Sequence, residues 1–311
     1  MREILCIGQA CVDALFRVPD EALSGMAPGQ RIPAGEIALA LGGDAANVAT
    51  ILSRLGYPVS LLCGIGDSVA GELIRSLLLK SGVDLSPSPT LERQQACVTG
   101  LLVPETRERV FLIDRRGYAH FKIRPEMVRG AKIVSLCSLL NEPLLDPENV
   151  NLAAGEAKRA GSIVCADVYT KPGIRTLAPY RDAFPFIDYF FPNEGEALQY
   201  TGASRAEDAA EVFLGMGAKN VVVKLGARGC LVRNAAECYT VPALPAKRVV
   251  DTTGAGDSFQ AGFIAGLLEG RPLRECCGMG HAAARICIRH MGASTGFDGR
   301  IRLEELLCKE V

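Results

Sequence analysis

Tryptophan is absent from the 311 residues, histidine occurs three times, and aromatic residues make up 6% of the chain. His120, His281 and His290 show none of the usual ligand spacings, which argues against a histidine-built catalytic zinc site. There is no charge surplus either, since 34 basic residues stand against 35 acidic ones. Nothing sequence-wide would draw such a chain to phosphate backbones or anionic lipid, so neither nucleic acid nor a membrane surface is expected as a partner. Long apolar runs are also missing. Stretches such as 133–140 and 220–225 stop well short of the roughly 20 residues a membrane span requires. The opening Met1-Arg2-Glu3-Ile4-Leu5-Cys6-Ile7-Gly8 holds too short an apolar run for a signal peptide and reads as a first strand.

Other absences exclude particular chemistries. None of the twelve cysteines forms a C-x-x-C pair, and many lie in apolar runs (Cys6, Cys63, Cys137, Cys165, Cys230). They read as small buried hydrophobes in a reducing cytoplasm. No glycine precedes a lysine, so the phosphate loop G-x-x-x-x-G-K-[ST] cannot occur. After the first strand the chain offers Gly8-Gln9-Ala10-Cys11 in place of G-x-G-x-x-G, which excludes a dinucleotide-binding dehydrogenase. Gly292-Ala293-Ser294-Thr295-Gly296 matches the hydrolase pattern G-x-S-x-G literally. It follows a helix pattern instead of a strand, however, and no histidine lies beyond His290 to complete a triad.

What is present is a globular composition, 49% hydrophobic and 22% charged, enough for one large core with a smaller appendage. Strand-like runs at 4–8, 59–63, 132–137, 162–167, 189–191 and 220–224 alternate with helix patterns at 43–55, 68–81, 149–160, 193–200 and 206–214. Continuous apolar strands between amphipathic helices predict an α/β fold, a mostly parallel sheet covered on both faces. Two stretches, about 12–41 and 97–121, carry β-type patches without an intervening helix and predict a small second sheet, placed as a lid over the strand ends. Two long helices rich in Ala, Gly and Cys follow at 255–269 and 273–290.

Asp251-Thr252-Thr253-Gly254-Ala255-Gly256-Asp257 is the most informative segment. Two glycines in three residues permit a tight turn that exposes backbone N–H groups, and the apolar run from Phe259 continues as a helix. A helix N-terminus of this kind is an anion site. Asp257 beside it could accept a proton from an attacking hydroxyl; the plainer alternative is an aspartate that caps the helix.

This segment resembles the D-T-x-G-A-G-D signature of the PfkB, or ribokinase-like, carbohydrate kinases. Leu41-Gly42-Gly43-Asp44-Ala45-Ala46-Asn47-Val48-Ala49 resembles the family's N-terminal signature. Gly64-Ile65-Gly66-Asp67, Asn193-Glu194-Gly195-Glu196 and Lys224-Leu225-Gly226-Ala227-Arg228-Gly229 resemble three further elements, all in the family's order. The resemblance implies a three-layer α/β/α core with a β lid, and ATP-dependent phosphorylation of a sugar hydroxyl. Asp257 would be the base, with Gly254, Ala255 and Gly256 the anion hole. Asn193 and Glu196 would position Mg²⁺ and phosphate largely through water. Lys224, Gly226 and Gly229 would lie beside the nucleotide, and Asp251 and Ser294 near a monovalent cation such as K⁺. On the substrate side, Asp13, Gly42, Gly43 and Asn47 would form the cradle.

At the third signature position many ribokinases have Lys where this chain has Asp44, which counts against ribose as the default substrate. Arg115 and Arg116, with Lys171, raise the expectation of a sugar acid or sugar phosphate; a solvated turn is the plainer reading of the arginine pair. A nucleoside kinase of the same fold and a non-catalytic sugar-binding regulator remain open. Lids of this family often pair between subunits, so a homodimer is expected.

Overall fold

A computed structural model describes residues 3–23, 29–104, 110–113 and 120–297. Its main sheet has eight strands. Six are parallel: β1 (Ile4–Ile7), β4 (Val59–Leu62), β9 (Ile133–Leu139), β10 (Ile163–Val168), β11 (Tyr189–Phe190) and β12 (Asn220–Lys224). Antiparallel β13 (Cys230–Asn234) and β14 (Cys238–Val241) extend one edge, giving the order β14-β13-β12-β11-β10-β9-β1-β4. Every residue of β1, β4 and β9 is buried, as continuous apolar strands covered on both faces must be. The apolar core accordingly falls into two clusters, one against each face of the sheet.

Helices supply the outer layers: α1 (Asp44–Arg54), α2 (Val69–Lys80), the short α3 (Pro125–Val128), α4 (Pro147–Arg159), α5 (Glu194–Thr201), α6 (Ala206–Met216), α7 (Ala255–Leu268) and α8 (Leu273–Cys287). Their starts follow local chemistry. Ser68 caps α2 by accepting from the Gly71 N–H, and Asp146 caps α4 by accepting from Glu148, with Pro147 in the first turn. α7 is apolar on almost every side and lies inside, packed on α1 and α8. Its Phe263 meets Phe191, edge to face at 4.8 Å between ring centroids, just past the end of β11. That contact fixes α7 to the sheet close to where Asn193 begins α5.

The stretches without a helix pattern do form a second sheet, ordered β3-β2-β7-β8, from β2 (Cys11–Arg17), β3 (Glu36–Gly42), β7 (Cys97–Val103) and β8 (Val110–Ile113). β2 pairs parallel with β7, while the two outer pairs are antiparallel. A two-residue pair, β5 (Ile65–Gly66) with β6 (Thr90–Leu91), links the two regions. Several features differ from the sequence reading, α3 and a 3₁₀ segment at Ala178–Phe186 among them. The edge hairpin β13–β14 was not expected, a 3₁₀ turn (Asp20–Leu23) follows β2, and α8 stops at Cys287, three residues before His290. Among the described residues no helix is long and apolar enough to cross a membrane.

Candidate active site

Two helix N-termini meet at the C-terminal ends of the parallel strands. α7 begins after Gly254, whose φ of 74° suits a residue without a Cβ; a Cβ there would also strike Ala293 at 2.3 Å. Ala255 donates its N–H to the Thr252 carbonyl at 3.2 Å, so Gly256 and Asp257 carry the next N–H groups, which have no acceptor in their own helix. The Asp257 carboxylate accepts from Asn47 Nδ2 at 2.8 Å, across 210 positions of sequence. Asn47 lies in the first turn of α1, behind Gly43 (φ 92°). Gly42 stands against Asp13 so closely that a Cβ would lie 2.3 Å from its carboxylate oxygen. The structure therefore brings Asp13, Gly42, Gly43, Asn47 and Asp257 together.

Charge is concentrated here. Lys224, at the end of β12, donates to Asp167 Oδ2 at 2.6 Å, and its Nζ would lie 3.3 Å from a Cβ placed on Gly256. The ammonium thus sits beside the start of α7 instead of on the 226–229 turn that follows it. Burial disfavours its charge, but Asp167 and Glu196 outweigh burial and hold its proton more tightly than usual. The carboxyls move the other way. Burial, then the charge of Asp44, pushes Asp257 well above the usual range, with the Asn47 bond opposing. Burial likewise raises Asp44, opposed by a hydrogen bond from the Ser138 hydroxyl and by Lys224. Asp13 is pushed up to about 6 by burial, with a smaller contribution from Asp44.

Asn193 and Glu196 form a reciprocal cap on α5: Asn193 Oδ1 accepts from the Glu196 N–H at 2.9 Å and Glu196 Oε2 from the Asn193 N–H at 2.8 Å. Thr170 adds a bond to Oε1 at 3.3 Å. Burial pushes Glu196 up to about 7 even though Lys224 opposes it. Gly226 and Gly229 bound a 3₁₀ turn between β12 and β13, with φ of 61° and 99°. Asp251 ties the loop before α7 to the segment after α8, accepting from the Thr253 and Gly292 N–H groups at 2.9 Å each. Ser294 lies in that segment, buried, its carbonyl accepting from Arg54 at 2.7 Å. Lys171 donates through Nζ to the Leu140 carbonyl at 3.2 Å, near Glu142. Arg115 and Arg116 lie outside the described residues. A cavity of about 250 Å³ opens between the second sheet and residues 291–295, lined by Leu15, Ala38, Ala40, Val103, Met291 and Thr295 among others.

Sequence reasoning missed Asp167 and Ser138. Asp167 ends a buried apolar run, and a carboxylate at the C-terminal end of a parallel strand is the signal that marks it. The assembled groups can hold an anion at the start of α7, between backbone N–H groups and an ammonium, with a carboxylate able to take a proton beside it.

Raised carboxyls leave a signature in stability. The folded protein keeps a proton on Glu196 from its ordinary 4.5 up to about 7, where the unfolded chain has released it. Stability therefore falls as pH rises through that window. Glu196→Gln should make the fall in denaturant midpoint between these values shallower, by up to one proton; an unchanged slope would contradict the assignment.

Comparison with known proteins agrees with the geometry. Residues 1–299 match the pfkB family carbohydrate kinase. A cytidine kinase of Thermococcus kodakarensis is 30% identical over 94% of this chain and 98% of its own length. A 2-dehydro-3-deoxygluconokinase of Bacillus subtilis is 27% identical over 86% of each. The structure of Arabidopsis thaliana ribokinase complexed with ribose and ATP superposes with a TM-score of 0.86 at 27% identity, covering 99% of this chain and all of that one. The three-layer core and the second sheet are those of a ribokinase-like fold, and the chain belongs to the pfkB family of carbohydrate kinases.

Proposed function

We propose that the protein transfers the γ-phosphoryl group of ATP to a hydroxyl of a small sugar or sugar-acid substrate, with Asp257 as general base. The observation that carries this reading is the Asp257 carboxylate, held by Asn47 at the first turn of α7 beside free helix-end N–H groups and Lys224. The carboxylate takes the hydroxyl proton as the oxygen attacks the γ-phosphorus. The bond from that phosphorus to the bridging oxygen breaks, and ADP leaves. The Gly254-Ala255-Gly256 turn is the anion hole: N–H groups at the start of α7 and the Lys224 ammonium offset charge on the transferring group. Asp13, Gly42, Gly43 and Asn47 hold the acceptor, with Lys171 at its margin. Asn193, Gly226 and Gly229 flank the nucleotide.

ATP with Mg²⁺ is usual for this family. Hard carboxylate oxygens are present, yet among the described residues no three or more His, Cys, Asp or Glu are grouped to hold a metal. That donor set suits an ion that keeps most of its waters and rests on phosphates, with Glu196 reached through water. When bound, it neutralises phosphate charge. Asp251, with Ser294 nearby, joins two loops and is assigned to a monovalent-cation site; equal rates in K⁺ and in tetramethylammonium would overturn that assignment. The cytidine kinase relative favours a nucleoside acceptor as a second reading.

The second sheet acts as lid and as dimer contact. Ile37, Leu39, Val110 and Leu112 fall on one face by strand register and are 40% exposed or more. The opposite face, which carries Leu15, Ala38 and Ala40, lines the cavity. An apolar face of this kind fits a second copy of the chain. Leu39→Glu should shift sedimentation from dimer to monomer; a wild-type monomer at micromolar concentration would contradict the pairing.

Asp257→Asn preserves shape but cannot accept the proton. Turnover should drop by about 10² to 10⁴, with ATP affinity within a few-fold. Retention of more than roughly a tenth of wild-type turnover, with chemistry limiting the rate, would remove Asp257 from the base's role.

A further inference from the structure

Asp44 stands where many ribokinases have Lys, and it lies beside the residues proposed for the acceptor cradle. It opens α1, two positions after Gly42, which abuts Asp13, and three before Asn47, which holds Asp257. Residues three apart on a helix share a face. Asp44 is therefore flanked by the groups that face Asp13 on one side and the base on the other. The side chain is also held in place. Ser138, at the end of β9, donates its hydroxyl to Asp44, and Ser138 has a φ of 66°, a backbone conformation unfavourable for a residue with a Cβ. The nearby ammonium of Lys224 is already bonded to Asp167 at 2.6 Å.

We propose that Asp44 is a specificity residue which, with Asp13, makes the cradle select an uncharged ring with free hydroxyls and reject acceptors bearing a carboxylate or phosphate. The inference rests on the kinase reading of the same site and narrows its substrate class. A carboxylate accepts hydrogen bonds, so two of them match hydroxyl donors and repel an anionic acceptor. Crowding is already felt within the site, where Asp44 lifts the carboxyls of Asp13 and Asp257. An acceptor carrying its own negative charge would add to that repulsion. Neutral sugars and nucleosides share the required chemistry.

The test uses the full chain and measures ADP release together with calorimetric acceptor binding. Ribose, fructose and cytidine are compared with gluconate, 2-dehydro-3-deoxygluconate and fructose 6-phosphate. The best uncharged acceptor should exceed the best anionic one by at least about 30-fold in kcat/KM. Asp44→Asn, which keeps an acceptor for Ser138, should raise the acceptor KM about tenfold while moving the ATP KM less than threefold. Asp44→Lys should swing the ratio toward anionic acceptors by about 100-fold. Ribose or fructose against cytidine then separates sugar from nucleoside. An anionic best acceptor, or an Asp44→Asn effect on ATP alone, overturns the inference and leaves the kinase reading intact. Binding of the uncharged ligands without ADP release overturns the kinase reading and leaves the cradle's selectivity standing. Neither binding nor turnover with any of the six removes both.

Discussion

The site depends on one hydrogen bond, from Asn47 to Asp257, that joins the first turn of α1 to the first turn of α7. Each helix is led by a glycine, and each start is fixed by a close approach elsewhere, Gly42 against Asp13 and Gly254 against Ala293. Neither helix follows a parallel strand: α1 comes directly after β3 of the second sheet and α7 after the loop that leaves antiparallel β14, and the two helices pack on each other. Without Asn47, the partly buried Asp257 carboxylate would lose a side-chain hydrogen bond of 2.8 Å, and an unmade bond to a buried polar group costs more than an exposed one. The packing of α7 through Phe263 against Phe191 serves the same end, since a helix free to shift would carry Asp257 with it.

Electrostatics gives this geometry its character. Asp13, Asp44, Asp167, Glu196 and Asp257 crowd one region, with Lys224 paired to Asp167. Burial pushes the carboxyls of Asp44, Glu196 and Asp257 above their ordinary ranges. A cation arriving with nucleotide phosphates would favour the charged forms, and a base with a raised affinity for protons is the better acceptor once it is ionised. The same crowding underlies the acceptor preference proposed for Asp44.

Much of this was legible in the sequence. The parallel core followed from continuous apolar runs such as Ile4–Ile7 and Ile133–Leu139, and the starts and ends of α1, α2 and α5 fell within a residue or two of the pattern. The Gly-led segment at 254–257 marked the start of α7 through its turn chemistry alone. The pairings were not legible. Lys224 reads as part of a glycine turn, yet its side chain finds Asp167, 57 residues away; Ser138 reads as one polar residue in a buried strand, yet it holds Asp44 from a distance of 94 residues. Such contacts depend on strand order, which local periodicity does not encode. The β13–β14 hairpin was missed for a related reason: its strands are short, and Cys238–Val241 is half exposed.

The account stands or falls on where the transferring phosphoryl group sits. A structure of the protein with MgADP, aluminium fluoride and its acceptor measures this directly. The fluoride group should accept hydrogen bonds from the N–H groups at the start of α7 at about 2.7 to 3.1 Å. The Asp257 carboxylate should lie about 2.6 to 3.2 Å from the attacking hydroxyl. A fluoride group bound away from the α7 N-terminus, or an acceptor hydroxyl out of reach of Asp257, would contradict the mechanism.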